Sequence, residues 1–199
     1  MATPLLELRG IAKSFGPVTA LDRVDLDIGA AEAVGLIGDN GAGKSTLVKI
    51  ISGGLLRSSG RMTFDGEDCS FASPADAKAK GIETVYQDLA LCPHLDPVNN
   101  LFLGREIKAR GLLGALGFMN RKEMRQQSID AFSDLGATVR TLTEPVGTMS
   151  GGQKQSIAVA RAAAWANKII FLDEPTAALG VVQTANVLDL IRRVRDKGI

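Results

Sequence analysis

Residues 38–45, which read GDNGAGKS, combine the residue types needed to hold a nucleotide phosphate. Glycines let the backbone curl so that successive N–H groups face an anion, and a helix that begins near Lys44 adds its positive dipole end. The pattern therefore predicts a phosphate-binding loop in which Lys44 reaches the β- and γ-phosphates and the Ser45 hydroxyl binds Mg²⁺. An ordinary glycine-rich turn is the alternative interpretation.

A pair of carboxylates follows the apolar run IIFL at residues 169–172. The end of a buried strand is where ligands of open α/β sheets bind, so Asp173 and Glu174 would emerge at such an edge. We expect Asp173 to bind Mg²⁺ and Glu174 to orient and polarise the attacking water. Alternatively, both carboxylates only solvate the end of a strand.

The segment MSGGQ, residues 149–153, opens a helical pattern and is here called the signature segment. Ser150 is a good N-cap, whereas Gly151 and Gly152 occupy the first turn, and glycine in a helix interior costs about 1 kcal/mol relative to alanine. Bare N–H groups in a first turn indicate an anion site. A helix cap with flexible glycines is an equally open interpretation.

The elements that position these segments can be predicted from periodicity. Alternation at residues 5–9 and 24–28 predicts antiparallel strands, and the apolar run 33–37 predicts a buried central parallel strand. Shorter strands are expected at 61–64, 84–87 and 168–172. Helices are expected at 44–52, from a capping box of Asn120 and Glu123 to Gly136, at 150–166 and at 181–197. In the second of these helices the expected apolar face comprises Met124, Ile129, Phe132 and Leu135.

This order predicts an α/β P-loop NTPase with a mainly parallel central sheet, an N-terminal antiparallel β subdomain and an inserted helical lobe. One domain is expected over residues 1–199, with a nucleotide-binding core at 1–87 and 168–199 and the lobe at 88–167. The C-terminal part of that core is expected to be missing.

Composition excludes several classes of function. Lys plus Arg total 23 against 22 Asp plus Glu, a formal net charge of +1, so nucleic acid is a poor partner. Cys69 and Cys92 have neither disulfide nor metal-ligand spacing, and we interpret both as inert thiols in a reducing compartment. Because no secretory leader and no apolar run of about 20 residues is present, any membrane role is expected to be peripheral.

Together the three motifs resemble the ATP-binding cassette family over essentially the whole chain. The resemblance implies that Gln87, in VYQDLAL, is the glutamine-loop residue that contacts Mg²⁺ and connects the nucleotide site to the membrane partner. It also implies that Phe15 stacks on adenine with Val18 beside it. The alternatives are that Gln87 is an exposed loop amide and that Phe15 is a core residue. The implied nucleotide-binding set is Phe15, Val18, Gly38, Asp39, Asn40, Gly41, Ala42, Gly43, Lys44, Ser45 and Thr46.

The resemblance further implies an ATPase that works as a homodimer. Each ATP would lie between the phosphate loop of one cassette and Ser150, Gly151, Gly152 and Gln153 of the other, with Mg²⁺ as cofactor. Residues 81–107 are similar to the ribose, xylose and fructose group of importers, which implies integral-membrane permease subunits and, indirectly, a periplasmic sugar-binding protein. The expected location is the cytoplasmic face of the bacterial inner membrane.

Two departures from the family pattern affect these expectations. Gly180 stands where the family usually has an aspartate that couples the two nucleotide sites. The family's switch histidine would follow Ile199, and His94 cannot replace it, so we expect ATP binding with weak or absent turnover. A non-hydrolysing nucleotide-binding module and a soluble cassette protein of DNA repair or translation are the competing functions, although the latter would need coiled arms, zinc cysteines or a basic face.

Overall fold

The computed structural model describes residues 3–86, 88–137, 139–177 and 179–199. The chain divides into two units, each with its own interior. The first extends to Thr84 and includes Ala166–Asp173 and Arg195–Ile199; the second comprises Val85–Trp165 and Glu174–Val194. The division into a core at 1–87 and 168–199 and a lobe at 88–167 stays a prediction.

An antiparallel sheet opens the first unit. Strands β1 (Leu6–Phe15), β2 (Val18–Ile28), β3 (Ser59–Phe64) and β4 (Glu67–Asp68) lie in the order β2-β1-β3-β4. The antiparallel pairing predicted for residues 5–9 and 24–28 is confirmed, with Leu6 opposite Ile28. Both strands are longer than predicted, because shifts in register let the pairing continue to Phe15 opposite Val18.

The core of the first unit forms where helix α1 (Lys44–Ile51) meets this sheet. Leu47, Ile50 and Ile51 of α1 are buried in one cluster with Leu6 and Leu8 of β1. The predicted end of the helix is confirmed, since Ser52 is the C-cap and the next residue is a glycine with φ of 73°. Helix α2 (Pro74–Ala79) follows, capped by reciprocal hydrogen bonds between Ser73 and Asp76.

Strands β5 (Ile82–Val85) and β6 (Ile169–Leu172) form a second, two-stranded sheet. The strand predicted at 84–87 begins two residues earlier in the structure, because the pairing begins beside Gly81, whose carbonyl accepts from the N–H groups of Lys168 and Ile169. The strand predicted at 33–37 is wrong: these residues form no strand, and Ile37 is 94% exposed. An apolar run shows that a segment is hydrophobic, but it does not identify a neighbouring strand with which the segment can form hydrogen bonds. Without such a neighbour a strand does not form.

The second unit is helical, and the only tryptophan of the chain packs against its core. Trp165 donates its indole N–H to the carbonyl of Leu101 at 2.8 Å and packs edge-on against Phe102, with ring centroids 5.4 Å apart. Val98 and Met124 complete this core. The elements are α3 (Pro97–Leu101), α4 (Leu112–Ala115), α5 (Arg121–Asp134), a 3-10 turn (Val146–Thr148), α6 (Gly151–Trp165) and α7 (Val181–Asp196).

Helix α5 corrects two details of the sequence-based prediction. Asn120 is the N-cap and accepts from the Glu123 N–H, but its own N–H donates to Ile107, so the return half of the capping box is not formed. Ile129, predicted to lie on the apolar face, is 39% exposed, and Ser128 is buried instead. Ser128 is tolerated there because its hydroxyl donates to the carbonyl of Met124, one turn earlier.

A buried asparagine organises the loop that precedes α3. The Asn100 side chain has no exposed surface, and its Oδ1 accepts from the N–H of Cys92 at 2.8 Å. Its Nδ2 donates to the carbonyls of Cys92, Leu95 and Asp96 at 3.0 to 3.1 Å. One amide group therefore makes hydrogen bonds to four backbone groups.

Two further findings concern the membrane and the thiols. Across the described ranges, no helix combines the length and the apolar composition needed to cross a membrane. Burial raises the pKa of the Cys69 thiol, which lies against the core of the first unit. A raised pKa keeps the thiol protonated and unreactive, as the interpretation of Cys69 as inert requires.

We predict that Asn100→Ala lowers the free energy of unfolding by about 2–4 kcal/mol, because the Cys92 N–H loses its acceptor at a cost of about 1–3 kcal/mol and three backbone carbonyls each lose one hydrogen bond. Asn99→Ala, which removes a half-buried neighbour bonded to Asp96, is the matched control and should cost less than about 1 kcal/mol. Urea unfolding followed by Trp165 fluorescence measures both values. Equal losses in the two variants would contradict this role of Asn100.

Candidate functional site

The phosphate loop, residues 38–45, forms a turn that ends directly in helix α1. The Ala42 N–H donates to the carbonyl of Asp39 at 3.1 Å, and Gly41 and Gly43 both have φ of 88°. Gly43 is the N-cap of α1 and supplies no side-chain cap. The N–H groups of the first turn are therefore not capped by a side chain, which leaves them available to an anion.

Gly43 lies where no other residue fits. A Cβ there would collide with the carbonyl oxygen of Ala20 and would approach the Leu21 side chain to 2.7 Å, and the positive φ independently disfavours L side chains. Strand β2 therefore packs directly against the start of α1. This close approach determines where the phosphate loop begins its helix.

The Lys44 ammonium lies over the loop itself. It donates to the carbonyls of Gly38 at 2.6 Å and Asp39 at 2.8 Å. These bonds hold the ammonium beside the loop, with its charge next to the first turn of α1. Ser45, the predicted metal ligand, is exposed, and Thr46 is half-buried.

Phe15 and Val18, the predicted adenine contacts, face each other at the end of the β1–β2 hairpin. Phe15 is 49% exposed and Val18 is 62% exposed, so the alternative that Phe15 is a core residue is wrong. The Lys13 ammonium lies 5.2 Å from the centroid of the Phe15 ring. Val18 stands two residues before Ala20, the residue that contacts Gly43, so the hairpin end and the phosphate loop belong to one surface region of the first unit.

Asp173 follows β6 directly and is half-buried. Ile169 and Phe171 of β6 pack into the same cluster as the buried face of α1, so both predicted metal ligands, Asp173 and Ser45, are anchored on one core. Within the part of the chain that the structure describes, no cluster of His, Cys, Asp or Glu could hold a metal by itself. A hydroxyl and one carboxylate suit Mg²⁺, which takes most of its other ligands from phosphates and water.

Glu174 belongs to the second unit, and its backbone is unusual. Its φ is 49°, in the left-handed region that a glutamate rarely adopts, and its carbonyl accepts from the Ala177 N–H at 3.1 Å. Such outliers cost about 1–3 kcal/mol and concentrate at functional sites. The side chain is exposed, as a group that acts on water requires.

The signature segment forms the predicted cap of α6. The N–H of Gln153 donates to the Ser150 hydroxyl at 3.4 Å, and the N–H of Ser150 donates to Gln153 Oε1 at 3.2 Å. The two glycines differ: a Cβ on Gly152 would approach Gln183 of α7 to 2.8 Å, whereas one on Gly151 meets only Leu179 at 3.7 Å. Packing therefore explains Gly152 but does not explain Gly151.

Three other residues discussed from the sequence are Gln87, His94 and Gly180. Gln87 lies outside the described residues, and His94 is exposed. At Gly180 a Cβ would approach Gln183 Oε1 to 2.6 Å. That oxygen ends a flexible, exposed side chain that can move aside, so packing does not explain why glycine stands in place of the family's aspartate.

Sequence reasoning missed Arg161. This arginine of α6 donates to the carbonyls of Leu89 and Ala90. The signal was present, because Arg161 is the only charged residue between Lys154 and Lys168. A lone charge in such an apolar stretch usually has a specific partner.

Several characterised proteins are similar to this chain in sequence. The chain is 47% identical over 198 residues to the fructose import ATP-binding protein FrcA of Rhizobium meliloti, covering 98% of this chain and 76% of that protein. It is 47% identical to the xylose/arabinose import ATP-binding protein XylG of Sulfolobus acidocaldarius, covering 98% and 75%. The ribose import ATP-binding protein RbsA of Streptococcus agalactiae is 39% identical, and the chain spans 38% of its length.

Solved structures show the same fold. The ADP conformation of MJ1267, an ATP-binding cassette of an ABC transporter, has a TM-score of 0.83 at 27% identity, covering all of this chain and 79% of that one. The dimeric post-hydrolysis state of the cassette MJ0796, bound to ADP and Pi, has a TM-score of 0.77 at 26% identity, covering 96% and 83%. The P-loop NTPase fold predicted from the sequence is thereby confirmed. The ABC transporter family model matches residues 21–177, and the chain belongs to this family as an ATP-binding cassette.

Proposed function

We propose that this chain is the ATP-hydrolysing subunit of a monosaccharide importer. The observation that supports it most directly is the phosphate loop, in which a left-handed Gly43 begins α1 without a side-chain cap and Lys44 stands beside it. The relatives that import fructose, xylose or arabinose and ribose support the sugar class of the cargo. We propose no single sugar.

Nucleotide binding would use the first unit. The N–H groups at the start of α1 and the Lys44 ammonium bind the β- and γ-phosphates, and Lys44 exchanges its loop carbonyls for phosphate oxygens of opposite charge. Phe15 and Val18 offer an exposed apolar surface for the adenine ring. Gly43 packs against β2, and Val18 is the first residue of that strand. The phosphate contacts and the adenine contact of Val18 are therefore tied to one strand.

Hydrolysis would use the carboxylates at the end of β6. Ser45, Asp173 and Gln87 would hold Mg²⁺, which neutralises charge that develops on the phosphates. Glu174 accepts hydrogen bonds from the attacking water and raises its nucleophilicity. Removing the Glu174 carboxylate should therefore slow the chemical step without weakening ATP binding.

A second copy of the chain would complete the site. Gly151 has no packing reason to be glycine, and its N–H lies in the first turn of α6 ahead of the Gln153 N–H that Ser150 caps, so this turn can approach a γ-phosphate closely. The ATP-bound dimer would drive a permease embedded in the cytoplasmic membrane toward one conformation, and hydrolysis would reset it. The chain would thus act peripherally at the membrane.

We predict that Lys44→Ala lowers the affinity for ATP by about 10- to 100-fold, because hydrogen bonds to charged groups contribute about 1.5–3 kcal/mol. Lys49→Ala, which removes an exposed lysine from the same helix, should leave the affinity unchanged. Titration with a fluorescent ATP analogue measures both. The phosphate-loop assignment fails if the two variants bind equally well.

Glu174→Gln should reduce ATP hydrolysis by at least about 100-fold and leave ATP affinity unchanged, because a general base contributes about 10²–10⁴ in rate. The variant should also accumulate an ATP-dependent dimer, which gel filtration detects even where basal turnover is slow. Glu144→Gln changes an exposed carboxylate of the same unit and serves as the control. A Glu174→Gln chain that hydrolyses ATP at the unaltered rate would exclude Glu174 as the base.

The sugar-import function is tested by co-expression with the integral-membrane permease subunits of candidate monosaccharide importers. We expect the two to purify together and, in proteoliposomes with the matching binding protein, to hydrolyse ATP several-fold faster when the sugar is added. Failure of every monosaccharide to stimulate hydrolysis, with ATP binding intact, would reject the proposed cargo class while keeping the cassette assignment.

A further inference from the structure

The turn that follows Gln87 contains two consecutive residues in a conformation that side chains disfavour. Leu89 has φ of 60° and Ala90 has φ of 45°. The Leu89 N–H donates to the carbonyl of Tyr86 at 2.8 Å, and the Ala90 N–H donates to Asp88 Oδ1 at 3.2 Å. Left-handed residues with a Cβ persist only where the surroundings hold them.

Arg161 of helix α6 supplies that hold. Its Nη1 donates to the Ala90 carbonyl at 2.8 Å, and its Nη2 donates to the Leu89 carbonyl at 3.0 Å. The flat guanidinium thus bridges two successive carbonyls that lie 71 and 72 positions from Arg161 in the sequence. Such a bridge needs both carbonyls on one side of the chain, and the left-handed conformation of Leu89 and Ala90 provides this arrangement. A lysine ammonium is a single point charge and would not select that arrangement.

The same helix carries the signature segment. Ser150 caps α6, and Arg161 follows eleven residues later, about 16 Å along the helix axis. An α-helix of this length transmits a displacement of its first turn to its last because its hydrogen bonds are continuous. The position of the signature segment and the position of the turn at residues 88–90 are therefore set by one rigid element.

We propose that Arg161 is a positioning residue that fixes the turn at residues 88–90 to the signature helix. Movement of α6 on engagement of ATP would then move the chain next to Gln87. This coupling role rests on the proposed function, which gives the signature segment its phosphate and Gln87 its membrane partner. The clamp itself rests only on the geometry of the second unit.

Hydrogen exchange tests the clamp on the full chain, without ATP and without a permease. We expect Arg161→Ala to accelerate exchange of the Leu89 and Ala90 amides by about tenfold or more, because two charge-assisted hydrogen bonds are lost. Arg125→Ala, which removes an exposed arginine from α5, is the control and should change nothing at this turn. Retained protection across α6 and unchanged Trp165 fluorescence would show that the Arg161→Ala chain is folded.

A glycine substitution distinguishes a side chain that holds a strained backbone from one that only packs against the turn. Glycine adopts positive φ without strain, so Ala90→Gly in the Arg161→Ala background should recover much of the lost protection at Leu89. Ala115→Gly, on α4 of the same unit, should recover none. A double variant no better protected than Arg161→Ala alone, or an Arg161→Ala turn as protected as the unaltered chain, would overturn the proposal.

The coupling role has its own readout in the reconstituted importer. Arg161→Ala should bind ATP with unchanged affinity but lose at least half of the sugar-stimulated hydrolysis, and Ala90→Gly should restore part of it. If stimulation is intact while the exchange result holds, Arg161 is a clamp without a coupling role. If the unaltered importer shows no stimulation, the proposed function fails and the exchange result still stands.

Discussion

The carbonyl oxygen of Ala20 lies so close to Gly43 that no side chain fits between strand β2 and the start of helix α1. This backbone contact brings three things together. It requires a glycine at the position where the helix begins without a side-chain cap, it precedes Lys44 on the first turn, and it ties the phosphate loop to the strand that begins at Val18. The nucleotide chemistry of the first unit depends on it, because phosphate binding by backbone N–H groups requires the helix to begin at that point.

The second unit uses backbone carbonyls in a similar way. Asn100 makes hydrogen bonds to four backbone groups of the loop before α3, and Arg161 holds two carbonyls of the turn at residues 88–90. The loop region that follows Gln87 is therefore organised by side-chain contacts, local ones from Asn100 and long-range ones from Arg161.

The sequence predicts local features of this fold better than distant ones. Helices α1, α6 and α7 and the pairing of β1 with β2 follow from caps, periodicity and alternation, all of which act over a few residues. The strand predicted at 33–37 does not form, since strand formation depends on a partner that the run itself does not specify. Arg161 and Asn100 were missed for the same reason: their importance lies in carbonyls that no short motif identifies. Conversely, the exposure of Phe15 supports a role that its residue type alone left open.

The central claim is that the phosphate loop and the first turn of α1 bind the terminal phosphates of a nucleotide. A crystal structure of this chain with Mg-ADP tests it most directly. We expect the β-phosphate within hydrogen-bonding distance of the N–H groups at the start of α1, and the Lys44 ammonium moved from the carbonyls of Gly38 and Asp39 onto phosphate oxygens. A nucleotide bound elsewhere, with Lys44 still on those carbonyls, would contradict the account.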